Sequence, residues 1–334
     1  MKKKKLQIMS LLLVMVLCVG LLAGCGSTDS GEQQESGNEK FNVVCTVFPE
    51  YDWVREVIGD NMEAYELTLL TENGVDLHSY QPTAKDIAKI GNCDLLLYVG
   101  GESDKWVRDA LKETTNKNMQ VINLLEVLGD EAKEEEIVEG MESEEEHEGE
   151  EEGPEYDEHV WLSLKNAKLF TKAICEALSK LDEEHSEDYQ TNLSNYNEKL
   201  SALDKEYEAF VEAGDSGRKT VVFGDRFPFL YLMDDYDVDY YAAFPGCSAE
   251  SEASFETITF LANKVDEFGL SKILVIDGSN QKIAQTIVSN TKDKNQEILA
   301  LDSLQSVTKQ DIQSGTTYLK VMESNLEILK QALK

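Results

Sequence analysis

The sequence predicts an α/β protein of two lobes, each with a parallel sheet flanked by helices, joined by one long rigid helix. Short apolar, β-branched segments alternate with amphipathic segments in both halves of the chain, a pattern typical of parallel sheets. Residues 186–213 lie between the halves and contain neither proline nor glycine. A chain of 334 residues is also long enough to form two domains with separate cores.

The first lobe is predicted over residues 41–185. Its first strand is the apolar run Phe41–Phe48, closed by Pro49, as expected for a strand buried on both faces. Later strands are predicted at Tyr65–Leu70, Asp94–Val99 and Gln120–Leu125. The predicted helices are Tyr51–Ile58, Thr83–Ile90, Ser103–Glu113 and Trp161–Leu181.

An acidic run at residues 130–156 interrupts this alternation. Residues 130–158 contain 17 Asp and Glu against one Lys. Low complexity and self-repelling charge predict a mobile loop. Because the run leads directly to His159, we expect its negative potential to gather cations near that residue.

The joining helix and the second lobe follow. Apolar residues recur every three or four positions along 186–213, which at 1.5 Å per residue would span about 42 Å. The second lobe is predicted over residues 214–334. Its strands are predicted at Thr220–Phe223, Val238–Phe244, Lys272–Ile276 and Glu297–Leu301. Its helices are predicted at Phe227–Met233, Ser254–Phe268, Gln281–Ser289 and Tyr318–Leu333.

The N-terminus is predicted to be a processing signal over residues 1–25. A basic segment and an apolar segment precede Leu22-Ala23-Gly24-Cys25, which reads as a lipobox with Cys25 as the lipidated residue. Residues 26–40 have the composition of a flexible tether. We therefore expect an exported protein, lipid-anchored to the outer face of the bacterial membrane. An uncleaved anchor or an ordinary secretory signal is the alternative.

The net charge and the spacing of the cysteines limit the kinds of ligand and partner that we expect. A formal net charge of −34 excludes ordinary phosphate-directed binding of nucleic acid and favours cations. Four cysteines lie beyond the lipobox, at positions 45, 93, 175 and 247. Their wide spacing does not match a zinc-binding CxxC pattern. We predict buried small residues or a single disulfide, not metal ligands.

Four residues are candidate metal ligands. Ligands of α/β proteins bind at the carboxyl ends of the strands. His78 follows the second predicted strand, Asp225 follows the first strand of the second lobe, and Asp277 follows Lys272–Ile276, while His159 follows the acidic run. Imidazole with carboxylate suits four-coordinate zinc, or manganese where oxygen ligands dominate. An isolated histidine is more often a packed or surface residue, and Asp277 could instead cap a helix.

The chain resembles the metal-binding lipoproteins of bacterial ABC importers for zinc and manganese, the ZnuA-like cluster A-I family. The resemblance runs from about Phe41 to the C-terminus and is carried by Gly74-Val75-Asp76-Leu77-His78-Ser79-Tyr80-Gln81-Pro82-Thr83 and by His159-Val160-Trp161 with Asn166. It implies that both histidines are ligands. It also implies a joining helix at 186–213 and a carboxylate ligand at Asp277.

The resemblance fails at one ligand. The family usually places His or Glu just after the first strand of the second lobe, where this chain has Arg226 beside Asp225. Arginine stays protonated and cannot coordinate a cation. Either Asp225 substitutes, or water fills the position while Arg226 pairs with a carboxylate. Two histidines with two aspartates would be rich in oxygen, which raises Mn²⁺ as an alternative cargo.

The predicted function is that of a monomeric, extracytoplasmic solute-binding protein, not an enzyme. It would capture Zn²⁺ in an inter-lobe cleft and deliver it to an ABC permease subunit in the membrane. A manganese-specific protein of the same family is one alternative. A metal-dependent hydrolase with Glu158 as base is another, although the HExxH and GxSxG motifs are absent. The third is a metal-dependent surface adhesin.

Overall fold

Two four-stranded parallel sheets form the framework of the protein. The computed structural model describes residues 40–142, 155–213, 219–248 and 252–334. Within these ranges no helix combines the length and the apolar character that crossing a membrane requires. The predicted signal, the lipobox at Cys25 and most of the tether lie outside the described residues.

The first lobe has the predicted alternation of strands and helices. Its elements are β1 (Phe41–Cys45), α1 (Phe48–Ile58), β2 (Tyr65–Leu69), α2 (Ala84–Asn92), β3 (Leu95–Tyr98), α3 (Val107–Lys112), β4 (Gln120–Asn123), α4 (Leu124–Leu128) and α5 (Leu164–Leu181). The strand order is β2-β1-β3-β4. The first strand ends three residues before its predicted end, because Glu50 accepts hydrogen bonds from the backbone of Thr46 (2.8 Å) and Val47 (3.2 Å) and starts α1 there.

The second lobe repeats the arrangement of the first after α6 (Ser186–Glu212), the predicted joining helix. Its elements are β5 (Thr220–Phe227), α7 (Leu230–Asp235), β6 (Asp239–Pro245), α8 (Phe255–Phe268), β7 (Lys272–Ile276), α9 (Lys282–Asn290), β8 (Glu297–Leu301), α10 (Lys309–Gln313) and α11 (Tyr318–Ala332). The strand order is β6-β5-β7-β8. The two-lobed α/β prediction is confirmed, and β2 and β6 occupy equivalent positions in the two sheets.

Contacts between the lobes include the segment around Trp161. The indole Nε1 of Trp161 donates a hydrogen bond to the Ser303 carbonyl (2.9 Å) in the second lobe. The Tyr318 hydroxyl donates to the Trp161 carbonyl (2.7 Å), and the Tyr318 N–H donates to Asp52 in α1 (2.8 Å). Trp161 and Tyr318 are fully buried. The lobes therefore share a continuous core beside His159.

The flanks of the acidic run differ from the predicted mobile loop. The backbone of Glu135 donates to the Glu155 carbonyl (2.9 Å), and Lys133 donates through its N–H to the Tyr231 hydroxyl (2.9 Å). Glu142 donates through its N–H to the Ala243 carbonyl at the end of β6 (2.9 Å). Both flanks are thus attached to the second lobe or to each other. Residues 143–154 lie outside the described residues, and the cation-gathering role stays a prediction.

Two buried carboxyl groups in the first lobe give the stability a pH dependence. Glu50 is fully buried, and burial, followed by the nearby Asp104, raises the pKa of Glu50 to about 8. Burial raises the pKa of Asp104 to about 7. At a pH above the ordinary carboxyl pKa, the unfolded state therefore loses these protons while the folded state keeps them. The free energy of unfolding must then fall as the pH rises toward 8.

We expect Glu50→Gln to flatten this pH dependence, because glutamine has no proton to lose. Between pH 5 and 8 each such group contributes a slope of up to about 1.4 kcal/mol per pH unit. Urea unfolding of the wild type and the variant across this range measures the slope. Glu113→Gln, at an exposed position, is the matched control and should leave it unchanged. Identical slopes for the wild type and Glu50→Gln would contradict the prediction.

Candidate metal centre

The imidazole ring of His78 is held by oxygen atoms at Nδ1, and its Nε2 atom lies on the opposite side of the ring. It lies in the short 3-10 turn Leu77–Ser79 after β2, where Asp76 accepts a hydrogen bond from the His78 N–H (2.9 Å). The Nδ1 atom of His78 is 2.7 Å from the Ser103 hydroxyl and 3.6 Å from Oε2 of Glu158. These oxygens fix the ring through Nδ1, which leaves Nε2 for a ligand.

His159 is oriented in the same way but is completely buried. Oδ1 of Asp157 accepts from the His159 N–H (2.8 Å) and lies 3.1 Å from its Nδ1. The indole of Trp161 packs edge-on against the imidazole, with ring centroids 5.3 Å apart. Burial lowers the pKa of His159, but Asp157 and Glu158 raise it overall, so a metal would displace the proton on Nε2 while Nδ1 continues to donate to Asp157.

The two histidines meet at their Nε2 atoms, which are 3.0 Å apart. Tetrahedral Zn²⁺ with nitrogen ligands at about 2.0–2.1 Å holds two such atoms roughly 3.3 Å apart, so the pair fits this ion. Burial, together with His159, lowers the pKa of His78 to about 3, so its imidazole is neutral and able to coordinate. Oxygen partners on Nδ1 are the usual surroundings of metal-binding histidines.

Cys247 lies beside this pair, although no cysteine is among the predicted ligands. Its Sγ and one ring nitrogen each of His78 and His159 all lie within 4.8 Å of one another. Burial, and then the carboxylates of Asp157 and Glu135, raises the pKa of the Cys247 thiol well above its ordinary value. All four described cysteines are free thiols, so the alternative of a disulfide among them is wrong, whereas the exclusion of cysteine ligands stays a prediction.

A positional signal could have identified Cys247. It comes two residues after β6, and His78 lies in the loop nine residues after β2; these two strands hold equivalent places in their sheets. Both residues therefore lie at the carboxyl ends of the strands, where ligands of α/β proteins bind. The wide cysteine spacing argued against a zinc motif within one segment. It says nothing about a ligand brought in by the fold.

Asp225 and Arg226 lie near the end of β5 and have other partners. Asp225 accepts hydrogen bonds from the Ser279 hydroxyl and from the Arg226 N–H (2.9 Å). Nη2 of Arg226 is 2.7 Å from Oδ2 of Asp76, the residue that caps the His78 turn. Burial would raise the pKa of Asp76, but His78 and Arg226 lower it overall. The arginine therefore pairs with a carboxylate, one of the two arrangements that the sequence left open.

Asp277 follows β7 as predicted, and its Oδ1 accepts hydrogen bonds from the N–H and hydroxyl of Ser303 (both 2.8 Å). It lines a cavity of about 540 Å³ that Asp302 and Lys320 also line. Among the described residues, neither Asp225 nor Asp277 belongs to the cluster of His78, His159 and Cys247. Their role as ligands stays a prediction.

A second cavity, of about 400 Å³, opens beside the histidine pair. Asp76 and His78 line it from the first lobe, and Asp225, Arg226 and Ser248 line it from the second. The candidate site is thus formed by loops at the strand ends of both lobes. Its charged lining consists of Asp76, Asp225 and Arg226, and the Arg226 guanidinium is paired with Asp76.

Comparison with known proteins identifies relatives of this chain that are named for zinc. The sequence profile of a family described as zinc-uptake complex component A, periplasmic, matches residues 43–332. The zinc-binding lipoprotein AdcA of Streptococcus pneumoniae serotype 4 is 31% identical over 96% of this chain. The chain spans only 60% of the length of that relative. The high-affinity zinc uptake system protein ZnuA of Bacillus subtilis is 28% identical over 96% of this chain and 97% of its own.

A solved structure also has this fold. The crystal structure of the Zn(II)-bound ZnuA-like domain of Streptococcus pneumoniae AdcA matches with a TM-score of 0.67 and 28% identity. The match covers 88% of this chain and 99% of that domain. These relatives are named for metal binding or zinc uptake, not for catalysis.

Proposed function

This chain belongs to the family of periplasmic zinc-uptake components, and from that premise we propose that it captures Zn²⁺ outside the cytoplasm. The observation that carries the proposal is the meeting of the His78 and His159 Nε2 atoms at 3.0 Å. Two imidazoles, each oriented by oxygens on Nδ1, form a ready-made nitrogen pair for zinc. The metal is cargo, so the site binds and releases it without chemical turnover.

The cargo would be delivered to an ABC permease subunit. Loops from both lobes line the cavity beside His78, so a small movement between the lobes would change the coordination and release the ion. A monomer tethered through lipid on Cys25 would remain close to such a permease. Delivery can be tested in cells in which the chromosomal gene for this protein carries His78→Ala. We expect these cells to fail to grow when zinc is limiting.

Zinc is the proposed cargo, with manganese as the alternative. The nitrogen pair favours Zn²⁺, whereas Mn²⁺ prefers carboxylate and water ligands. Asp225 and Asp277 stay candidates for further ligands. To coordinate, Asp225 would have to leave the Ser279 hydroxyl, and Asp277 would have to reorient around its bonds to Ser303.

Titration of Zn²⁺ and of Mn²⁺ into the metal-free protein tests the proposal. We expect one Zn²⁺ per chain, bound more tightly than Mn²⁺, and metal analysis of the purified protein should find zinc. Tighter binding of Mn²⁺ would reverse the assignment of the cargo. Absence of binding by either ion would overturn the function itself.

A further inference from the structure

We propose that Cys247 is the third protein ligand of the cargo, so that two imidazoles and one thiolate hold the ion and the sulfur selects Zn²⁺ over Mn²⁺. This inference rests on the proposed function, whose histidine pair it completes. The donor would come from the end of β6. The position where the resemblance places a ligand, at the end of β5, is occupied by Arg226.

The distances suit a shared ion. The three donor atoms lie within 4.8 Å of one another. A tetrahedral Zn²⁺ with sulfur at about 2.3 Å and nitrogen at about 2.0–2.1 Å holds these donors roughly 3.5 Å apart. A small movement of Cys247 toward the two imidazoles would therefore complete the site. Binding exchanges the thiol proton for the ion, and that proton passes to solvent.

Gly246, the residue before Cys247, is packed against the buried His159. A Cβ atom at Gly246 would lie 3.0 Å from Cε1 and 3.1 Å from Nδ1 of His159, and 2.9 Å from the Phe227 carbonyl oxygen. Only glycine lets the backbone approach the imidazole this closely. On the other side, Oε1 of Glu135 accepts a hydrogen bond from the Cys247 N–H (2.9 Å). Cys247 is thus positioned by two independent contacts.

Buried carboxylates next to the two histidines favour binding of a cation. Glu158 is buried, and its Oε2 has no hydrogen-bond partner among the described residues although it lies 3.6 Å from Nδ1 of His78. Asp157 is also buried, and its Oδ1 is 3.1 Å from Nδ1 of His159. A divalent ion bound to the rings and to sulfur would offset these carboxylates. Thiolate is a soft donor that suits zinc, whereas manganese is suited by hard oxygen donors.

Cobalt substitution gives the direct test of the sulfur ligand. We load the reduced full-length protein with Co²⁺ and record its absorption spectrum for the wild type and for Cys247→Ser. The wild type should show a thiolate-to-cobalt charge-transfer band in the near ultraviolet, and the variant should lack it. Cys175→Ser, at a cysteine whose Sγ accepts a hydrogen bond from Gln190, is the matched control and should keep the band.

Affinities then test selectivity. We expect Cys247→Ser to weaken Zn²⁺ binding by about 10- to 100-fold or more, since even changes to outer-shell partners cost that much. Mn²⁺ binding should change far less, so the ratio of the two affinities should collapse. Cys247→Asp supplies a hard oxygen donor and should shift the preference toward Mn²⁺. Thermal unfolding of the metal-free variants confirms that each one is folded.

The outcomes separate this inference from the proposed function. Zinc binding that depends on His78 but is unchanged in Cys247→Ser, without a charge-transfer band in the wild type, overturns the thiolate ligand and leaves the function standing. A wild-type protein that binds no Zn²⁺ overturns the function. A charge-transfer band together with an unchanged ratio of affinities overturns selectivity by the sulfur.

Discussion

His159→Ala is expected to abolish high-affinity Zn²⁺ binding. The variant removes one of the two Nε2 donors that lie 3.0 Å apart, and it leaves the buried Asp157 without its imidazole partner. Changes to outer-shell groups already weaken metal sites by about 10- to 100-fold. Loss of a ligand from a site built on two histidines should exceed that range. Calorimetric titration of Zn²⁺ into the metal-free protein measures the loss.

Two further variants make the result specific. His78→Ala removes the other donor from a less buried position and should cause a loss of similar size. His185→Ala removes an imidazole that pairs with Asp182 just before α6, and it should leave zinc binding unchanged. Retention of wild-type affinity by both His78→Ala and His159→Ala would show that the ion binds elsewhere.

The sequence was a good guide to the strands and to the histidines because both depend on local patterns. Apolar β-branched runs marked six of the eight strands within two residues at either end, and β1 is the exception in the first lobe because it ends three residues before its predicted end. The exception in the second lobe is β5, which continues to Phe227 where the prediction ended at Phe223. The segments around His78 and His159 are specific enough for the family resemblance to identify them without knowledge of the fold.

Contacts between distant parts of the chain could not be predicted from local sequence patterns. Arg226 and Asp76 are separated by 150 residues and pair only because loops of the two lobes meet. Cys247 reaches the histidines for the same reason. The acidic run had the composition of a mobile segment, yet Glu135 accepts from the backbone of Cys247. Composition describes average behaviour and cannot reveal one such bond.

Trp161→Ala is expected to cause a large loss of stability. The indole is fully buried beside His159, and its Nε1 donates to the Ser303 carbonyl across the lobe contact. Removing a buried tryptophan costs about 3–5 kcal/mol through lost contacts and the cavity left behind. The Ser303 carbonyl would also lose its partner, at a further cost of about 1–3 kcal/mol. Urea unfolding of the metal-free protein measures the sum.

Two comparisons separate packing from the hydrogen bond. Trp161→Phe keeps an aromatic ring but loses the Nε1 donor. Its free energy of unfolding should therefore lie between those of the wild type and Trp161→Ala. Leu169→Ala, at a position on α5 with 46% of its surface exposed, should change the free energy of unfolding by only about 0.5 kcal/mol. An equal effect of Leu169→Ala and Trp161→Ala would refute a stabilising role for the indole. Because Trp161 also packs against the imidazole of His159, loss of its ring should weaken zinc binding as well as the contact between the lobes.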